Sequence, residues 1–291
     1  MNIHSRIRGP LYLATAAGIW GSIYVVSKVL LTVIDPLELV WLRYTIAVTT
    51  LALCGLATKQ TWRVALADLP LILAVGLIGY FLSIWAQFAG TQYSSAQLGS
   101  VVTAATPAFM VLFARLLLKE KITLAKGAAV VLATAGVLCI VGIGELDEGV
   151  QLGVGILVLA ALTWALMSVL IKRIPDHYSQ LVITCYAMLA AWLCITPFVL
   201  NRLSALPALL LTSPQLDAGL VYLGVVSTAG AFYLWNRGLQ LTEASSGGLY
   251  FFFQPLVGAL LGWLLLGETV STGFWPGAAL IVAGVLLTLK K

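Results

Sequence analysis

Ten apolar stretches follow one another along this chain, at 10–31, 36–57, 69–90, 95–118, 124–144, 152–172, 179–200, 218–239, 245–266 and 272–289. Each is close to the roughly 20 residues that a helix needs to cross a bilayer core at about 1.5 Å per residue. Short clusters such as "TVIDP", "ATKQTWR", "LLKEKIT", "GELDEG" and "IPDHYSQ" punctuate them. The runs are continuous rather than alternating, which excludes the strands of a transmembrane barrel. The pattern predicts an all-α, polytopic membrane protein with ten transmembrane helices.

Composition agrees. Of 291 residues, 61% are hydrophobic and 9% charged, against roughly 25% charged in a soluble domain. The mean hydropathy is +1.03 for 31.0 kDa. So few charges could not cover a water-soluble globule, so the expected surroundings are a lipid bilayer. The net charge of +5 then reads as topology rather than as affinity for nucleic acid. With the N-terminus placed inside, Arg6, Arg8, Lys59, Arg63, Arg115, Lys119, Lys121, Lys126, Lys172, Arg173, Arg237, Lys290 and Lys291 all fall on the cytoplasmic side. Only Lys28 and Arg202 fall outside, and Arg43 lies within a span. This bias predicts both termini in the cytoplasm. The apolar part of "MNIHSRIRGPLYLATAAGIW" is longer than the 7–15 residues of a cleaved leader, and is expected to be retained as the first span. Cys54, Cys139, Cys185 and Cys194 all lie in apolar segments, as packing thiols do.

The chain is also written twice. A shift of 148 pairs Gly76 with Gly224, Gly90 with Gly238, Pro107 with Pro255, Glu120 with Glu268 and Gly136 with Gly284. Near the start of each half a shift of 144 pairs Trp20 with Trp164 and Lys28 with Lys172. The expected units are 1–148 and 149–291, each of five spans. Five is odd, so the second copy enters the membrane upside down. Inverted repeats supply two related conformations around a midplane site, the architecture of a carrier.

Ten spans in two inverted five-helix copies resemble the drug/metabolite transporter superfamily in its EamA-type branch. The resemblance rests on "IWGS" in the first span, "WLRY" in the second, and the paired tracts "TPAFMVLFARLLLKEKIT" and "QPLVGALLGWLLLGETVS". It implies export or exchange of small metabolites, often amino acids, across a bacterial inner membrane, with no cofactor. Oligomeric state is left open by the sequence, a monomer included.

Several polar residues sit where hydrocarbon alone would not require them. Trp20 and Trp164 share one depth near mid-membrane, away from the interfacial belts usual for tryptophan. They either flank a substrate or pack the contact between the two halves. Ser22, Tyr24 and Ser168 could line the same space or join helices by hydrogen bonds. Lys28 can snorkel to the headgroups. Tyr80, Ser83 and Gln87 form one polar stripe that should face the protein interior, because an amide buried in lipid is costly. Trp235 holds the repeat position of Gln87. Pro107 and Pro255, placed mid-span, should free the carbonyls of Thr103 and Phe251. Thr106 and Gln254 precede these prolines, with Tyr250 one turn before Gln254. Tyr186 is expected to pack. Glu120 and Glu268 are expected to organise the turns ahead of Thr123 and Ser271. The small residues of spans 5 and 10 predict a supporting helix pair outside the pathway.

Arg43 is the most informative charge. A cation at mid-membrane costs about 2.5–3.5 kcal/mol on insertion scales, so it needs a partner or water. Glu38, roughly 140° around the helix, is poorly placed to pair with it. Arg43 could grip a substrate carboxylate bidentately or tie its helix to a carbonyl. No Asp or Glu lies in the middle third of any span, and Glu38 and Glu243 at span ends read first as exposed loop charges, with proton sites as the alternative. His4 and His177 lie outside the spans and no metal-ligand spacing occurs, which excludes an embedded hydrolase. The expected substrate is a neutral or zwitterionic metabolite, amino acids first. The alternatives are a cationic amine or drug-like compound held by aromatic faces, or a facilitative channel.

Overall fold

The second span shows how this sequence sets a helix end. Asp35 accepts the N–H of Leu37 on its Oδ1 at 3.0 Å, and Pro36 follows at a position whose N–H would be unsatisfied anyway. The helix closes at Thr58, whose N–H returns to the Cys54 carbonyl, with Lys59 at a φ of 52° turning the chain.

The computed structural model describes residues 3–30, 33–93, 102–103, 105–141, 150–200, 213–266 and 273–289. The helices are α1 (Ile3–Leu30) and α2 (Pro36–Ala57). Next comes α3 (69–93), built from Leu69–Val75, a π-helical Gly76–Ser83 and Ile84–Tyr93. It is followed by α4 (Thr106–Leu118), α5 (Leu124–Val141) and α6 (Val150–Leu170, extended by the 3-10 turn Ile171–Arg173). Then come α7 (Gln180–Leu200) and α8 (214–241), the latter with a π-helical Tyr222–Gly230 at its centre. The last are α9 (244–266), which contains the 3-10 segment Gly248–Phe252, and α10 (Phe274–Leu289). Among the described residues, five stretches are long and apolar enough to cross a membrane unaided: Pro36–Ala57, Leu69–Gly90, Gln151–Arg173, Gln180–Leu200 and Pro214–Leu241. No strand occurs among the described residues.

The two five-helix repeats are visible as mirrored contacts. Gly90 on α3 faces the Gly153 carbonyl and Leu157 on α6, while Gly238 on α8 faces the Gly9 carbonyl and Leu13 on α1. Gly76 lies against the Ala187 backbone on α7, and Gly224 against Ile46 and the Arg43 carbonyl on α2. Each pair is related by the two sequence shifts, 148 for the glycines and 144 for Gly9, Leu13 and Arg43. A Cβ on Gly76 would stand 2.0 Å from the Ala187 oxygen, so only glycine fits this approach. Both π-helical segments begin beside these glycines, in α3 and α8 alike. An i→i+5 turn widens the helix, and such bulges cluster at functional sites.

α5 and α10 pack on each other as their small residues predict, with Gly136 against the Gly277 carbonyl and Ile281. One expectation is corrected. Pro107 does not kink a continuous span: a turn at Ala105 interrupts the chain and Pro107 lies in the first turn of α4. Its missing N–H is there an orphan in any case. On the other copy the irregularity takes the form of the 3-10 segment that ends at Phe252, three residues before Pro255, whose own side chain lies outside the described residues. Residues 94–101 and 104 of the fourth predicted span, and Glu268 and Ser271, also lie outside the described residues.

Candidate functional site

At the junction of α1, α3, α6, α8 and α9 the aromatic side chains converge. Trp20 lies with its ring centroid 5.3 Å from Trp164 in an edge-on contact, 5.1 Å from Trp235, 5.6 Å from Phe232 and 5.9 Å from Phe251. Tyr80 closes the group at 4.7 Å from Phe232 and 6.3 Å from Trp164. All are buried. Edge-on and tilted contacts at these distances suit the quadrupoles of the rings. In this conformation the two tryptophans therefore pack the contact between the halves.

The symmetry of the pair is broken in its hydrogen bonds. Trp20 donates its Nε1–H to the Ser227 carbonyl of the α8 π-helical segment at 3.0 Å. The Trp164 Nε1–H, equally buried, has no partner. Trp235 donates to Ser168 at 3.3 Å. Ser83 donates to the Ala160 carbonyl at 2.8 Å and joins α3 to α6. Ser22 and Tyr222 share a hydrogen bond between α1 and α8. Thr106 and Tyr250 are buried with hydroxyls that have no partner. Gln254 is buried and Gln87 half-buried. The side chains of Tyr24 and Lys28 lie outside the described residues.

Arg43 is 2% exposed. Its Nε donates to the Thr228 hydroxyl at 2.8 Å, and its guanidinium carbon lies 5.9 Å from the Tyr44 ring centroid. Among the described residues no carboxylate pairs with it. Thr228 in turn donates to the Leu223 carbonyl, which also accepts from Ser227. Hydroxyls of the π-helical segment thus serve a carbonyl there, and Arg43 binds to that bulge through Thr228.

The sequence reading missed a buried polar line beside Arg43. Tyr44 donates to the Tyr80 carbonyl at 2.7 Å. Asn236 donates to the Tyr80 hydroxyl at 2.7 Å and to Thr184 at 2.9 Å, leaving its own Oδ1 unpartnered. Thr184 donates to the carbonyl of Gln180, one turn earlier on α7. An amide within a predicted span was the available signal, but Asn236 sits beside Arg237 and reads as a helix end. Tyr186 packs as expected, donating to the Trp62 carbonyl at 2.9 Å.

Glu120 corrects a second expectation. Rather than serving its own turn, it crosses to the other repeat and caps α9, accepting the N–H groups of Ala244 and Ser245 at 2.9 and 3.1 Å. A carboxylate at a helix N-terminus satisfies orphan donors and complements the helix dipole. Thr123 caps α5, its hydroxyl accepting the Lys126 N–H. Lys126 joins the same knot, 2.8 Å from Glu243. Lys172 donates to the Leu239 and Thr242 carbonyls at the end of α8, a common use of lysine at a helix C-terminus.

Comparison with known proteins gives one consistent answer. An "uncharacterized transporter" of Archaeoglobus fulgidus is 26% identical over 97% of this chain and 98% of its own length. A protein of Streptantibioticus cattleyicolor described as a "probable terminal-alkyne amino-acid exporter" is 28% identical over 86% of this chain and 82% of its own length. A crystal structure of 22% sequence identity shares the fold, with a TM-score of 0.76 over 96% of both chains. The EamA-like transporter family matches twice, over residues 7–142 and 151–290, once for each five-helix copy. This chain is a multi-pass membrane transporter, not an enzyme, and it belongs to the EamA-like transporter family.

Proposed function

We propose that this transporter exports or exchanges small zwitterionic metabolites, amino acids first, by alternating access. One observation carries the reading: Arg43 is a buried guanidinium that no described carboxylate neutralises. Arg carries five donors in a planar fork, and a substrate carboxylate is the geometric match for it. Elsewhere among the described residues, the unpartnered Thr106, Trp164 and Tyr250 donors and the Asn236 acceptor are polar groups whose burial is costly without a ligand. The relative described as an amino-acid exporter supports the same class. Trp20, Tyr24, Arg43, Tyr80, Ser83, Gln87, Thr106, Trp164, Ser168, Trp235, Tyr250 and Gln254 remain the proposed substrate-facing set. Tyr80 and Trp235 enter it when the aromatic group parts.

The second reading, a cationic amine or drug-like compound, is favoured by the aromatic group itself, since cations are drawn to such faces. Purified protein in liposomes preloaded with labelled amino acids or amines separates the two. Amino-acid efflux above protein-free vesicles is expected; efflux of amines alone would replace the first reading by the second.

The proposed site is the bacterial inner membrane, with both termini and the Lys- and Arg-rich loops in the cytoplasm. In a cysteine-free background, Glu148→Cys is expected to react with an impermeant thiol reagent in intact cells, and Gln60→Cys to be protected. The opposite labelling would reverse the orientation.

A further inference from the structure

A pocket of about 500 Å³ opens on the side of the Arg- and Lys-rich loops, between the 60–63 segment, the loop before α7 and the end of α8. Its size falls within the roughly 300–1,000 Å³ usual for small-molecule sites. Arg237 and Asp176 both line it, yet they form no ion pair with each other among the described contacts. Gln240 stands between them. Arg237 donates to its Oε1 at 2.7 Å, and its Nε2 lies at donor distance, 3.5 Å, from Asp176. One amide therefore holds a guanidinium and a carboxylate apart, with most of the donors of Arg237 unspent.

One further observation points to a ligand. Gln180, the first residue of α7, lines the pocket and is 3% exposed, yet neither its Nε2 nor its Oε1 has a partner. A buried amide with both ends unsatisfied is costly, and a group that both donates and accepts would satisfy it. The pocket wall is also fixed in advance. Tyr178 donates to Asp68 at 2.7 Å and accepts the Ala65 N–H at 3.1 Å, which ties the loop before α7 to the segment after α2. Asp68 is thereby engaged, and Asp176 is the carboxylate that faces the pocket.

We propose that this pocket is a loading site for free α-amino acids, distinct from Arg43, in which Arg237 takes the carboxylate, Asp176 the ammonium and Gln180 the remaining hydrogen bonds. Separated opposite charges suit a zwitterion and engage only half of a simple acid or a simple amine. The place fits the role, because Gln180 stands at the foot of the line through Thr184 and Asn236 to Tyr80. This inference rests on the amino-acid reading above.

The test is exchange by oriented proteoliposomes, with a saturating concentration of the unlabelled amino acid that wild type transports fastest on the trans side and the labelled one presented from either face, its amide and its deaminated acid serving as competitors. Asp176→Asn and Arg237→Gln are expected to raise the half-saturation concentration about tenfold from the pocket face alone. Maximum rate should stay within about twofold, and the opposite face should be unchanged. Gln180→Leu should act in the same direction, and all three proteins should elute as single species. Wild-type flux with unaltered half-saturation in Asp176→Asn and Arg237→Gln overturns the loading site but not the amino-acid reading. So does an equal loss from both faces, which marks a structural role. Absence of any wild-type amino-acid flux overturns that reading, and this site with it.

Discussion

Arg43→Gln is expected to raise the half-saturation concentration for carboxylate-bearing substrates about a hundredfold while leaving the protein folded. A bidentate carboxylate contact involves two charge-assisted hydrogen bonds of about 1.5–3 kcal/mol each. Losing about 3 kcal/mol of binding corresponds to roughly a hundredfold in affinity. Glutamine keeps one N–H donor for Thr228, which lies 2.8 Å from Arg43 Nε. It also removes a cation that is 2% exposed and has no described carboxylate beside it. Thermal stability should therefore hold or rise, since an unpaired charge in the membrane is costly. Amine flux, if there is any, should persist. If stability falls and all fluxes fall together, Arg43 is a tie between α2 and α8, and the carboxylate reading loses its main support.

The aromatic group predicts a second large effect, and an asymmetric one. Trp20→Ala is expected to destabilise the protein by about 3–5 kcal/mol, the range for deleting a large buried aromatic, because Trp20 touches four other rings. Substitution by phenylalanine separates packing from hydrogen bonding. Trp20→Phe keeps a ring but removes the hydrogen bond that the indole gives to the Ser227 carbonyl, at about 0.5–1.5 kcal/mol. Trp164→Phe removes a buried donor that has no partner here, and should be neutral or stabilising in this conformation. Thermal unfolding of the purified variants reads the difference. Equal shifts for Trp20→Phe and Trp164→Phe would mean that the broken symmetry of the pair carries no energetic weight.

Much of this arrangement could be read from the residues, for a physical reason. A helix in lipid must satisfy its own backbone, so spans appear as apolar runs, and an inverted repeat appears as glycines at one offset. Gly76, Gly90, Gly224 and Gly238 match because each receives a backbone or a large side chain from the other repeat. The α5–α10 pair was legible through its small residues. The π-helical segments were not, because an extra residue in a turn leaves no mark on an apolar run. Nor was the start of α4 at Thr106, since a proline serves a first turn as readily as a kink. Glu120 reads as serving its own turn because sequence shows neighbours only along the chain, whereas its partners lie at Ala244 and Ser245. Asn236 is hidden for the same reason: it stands beside Arg237, which marks a helix end, and its importance depends on Thr184 and Tyr80 from other helices, while Gln180 stands at a helix start and its burial shows only in the fold.

The proposed carrier moves a zwitterion past Arg43 by exposing one site to each side in turn. Counterflow tests it most directly. Liposomes holding the protein and a high concentration of unlabelled amino acid are diluted into a trace of the labelled one. Wild type is expected to accumulate label transiently above equilibrium, and Arg43→Gln at the same trace concentration is not. Labelled amino acid that only equilibrates, with no overshoot in wild type, would contradict it.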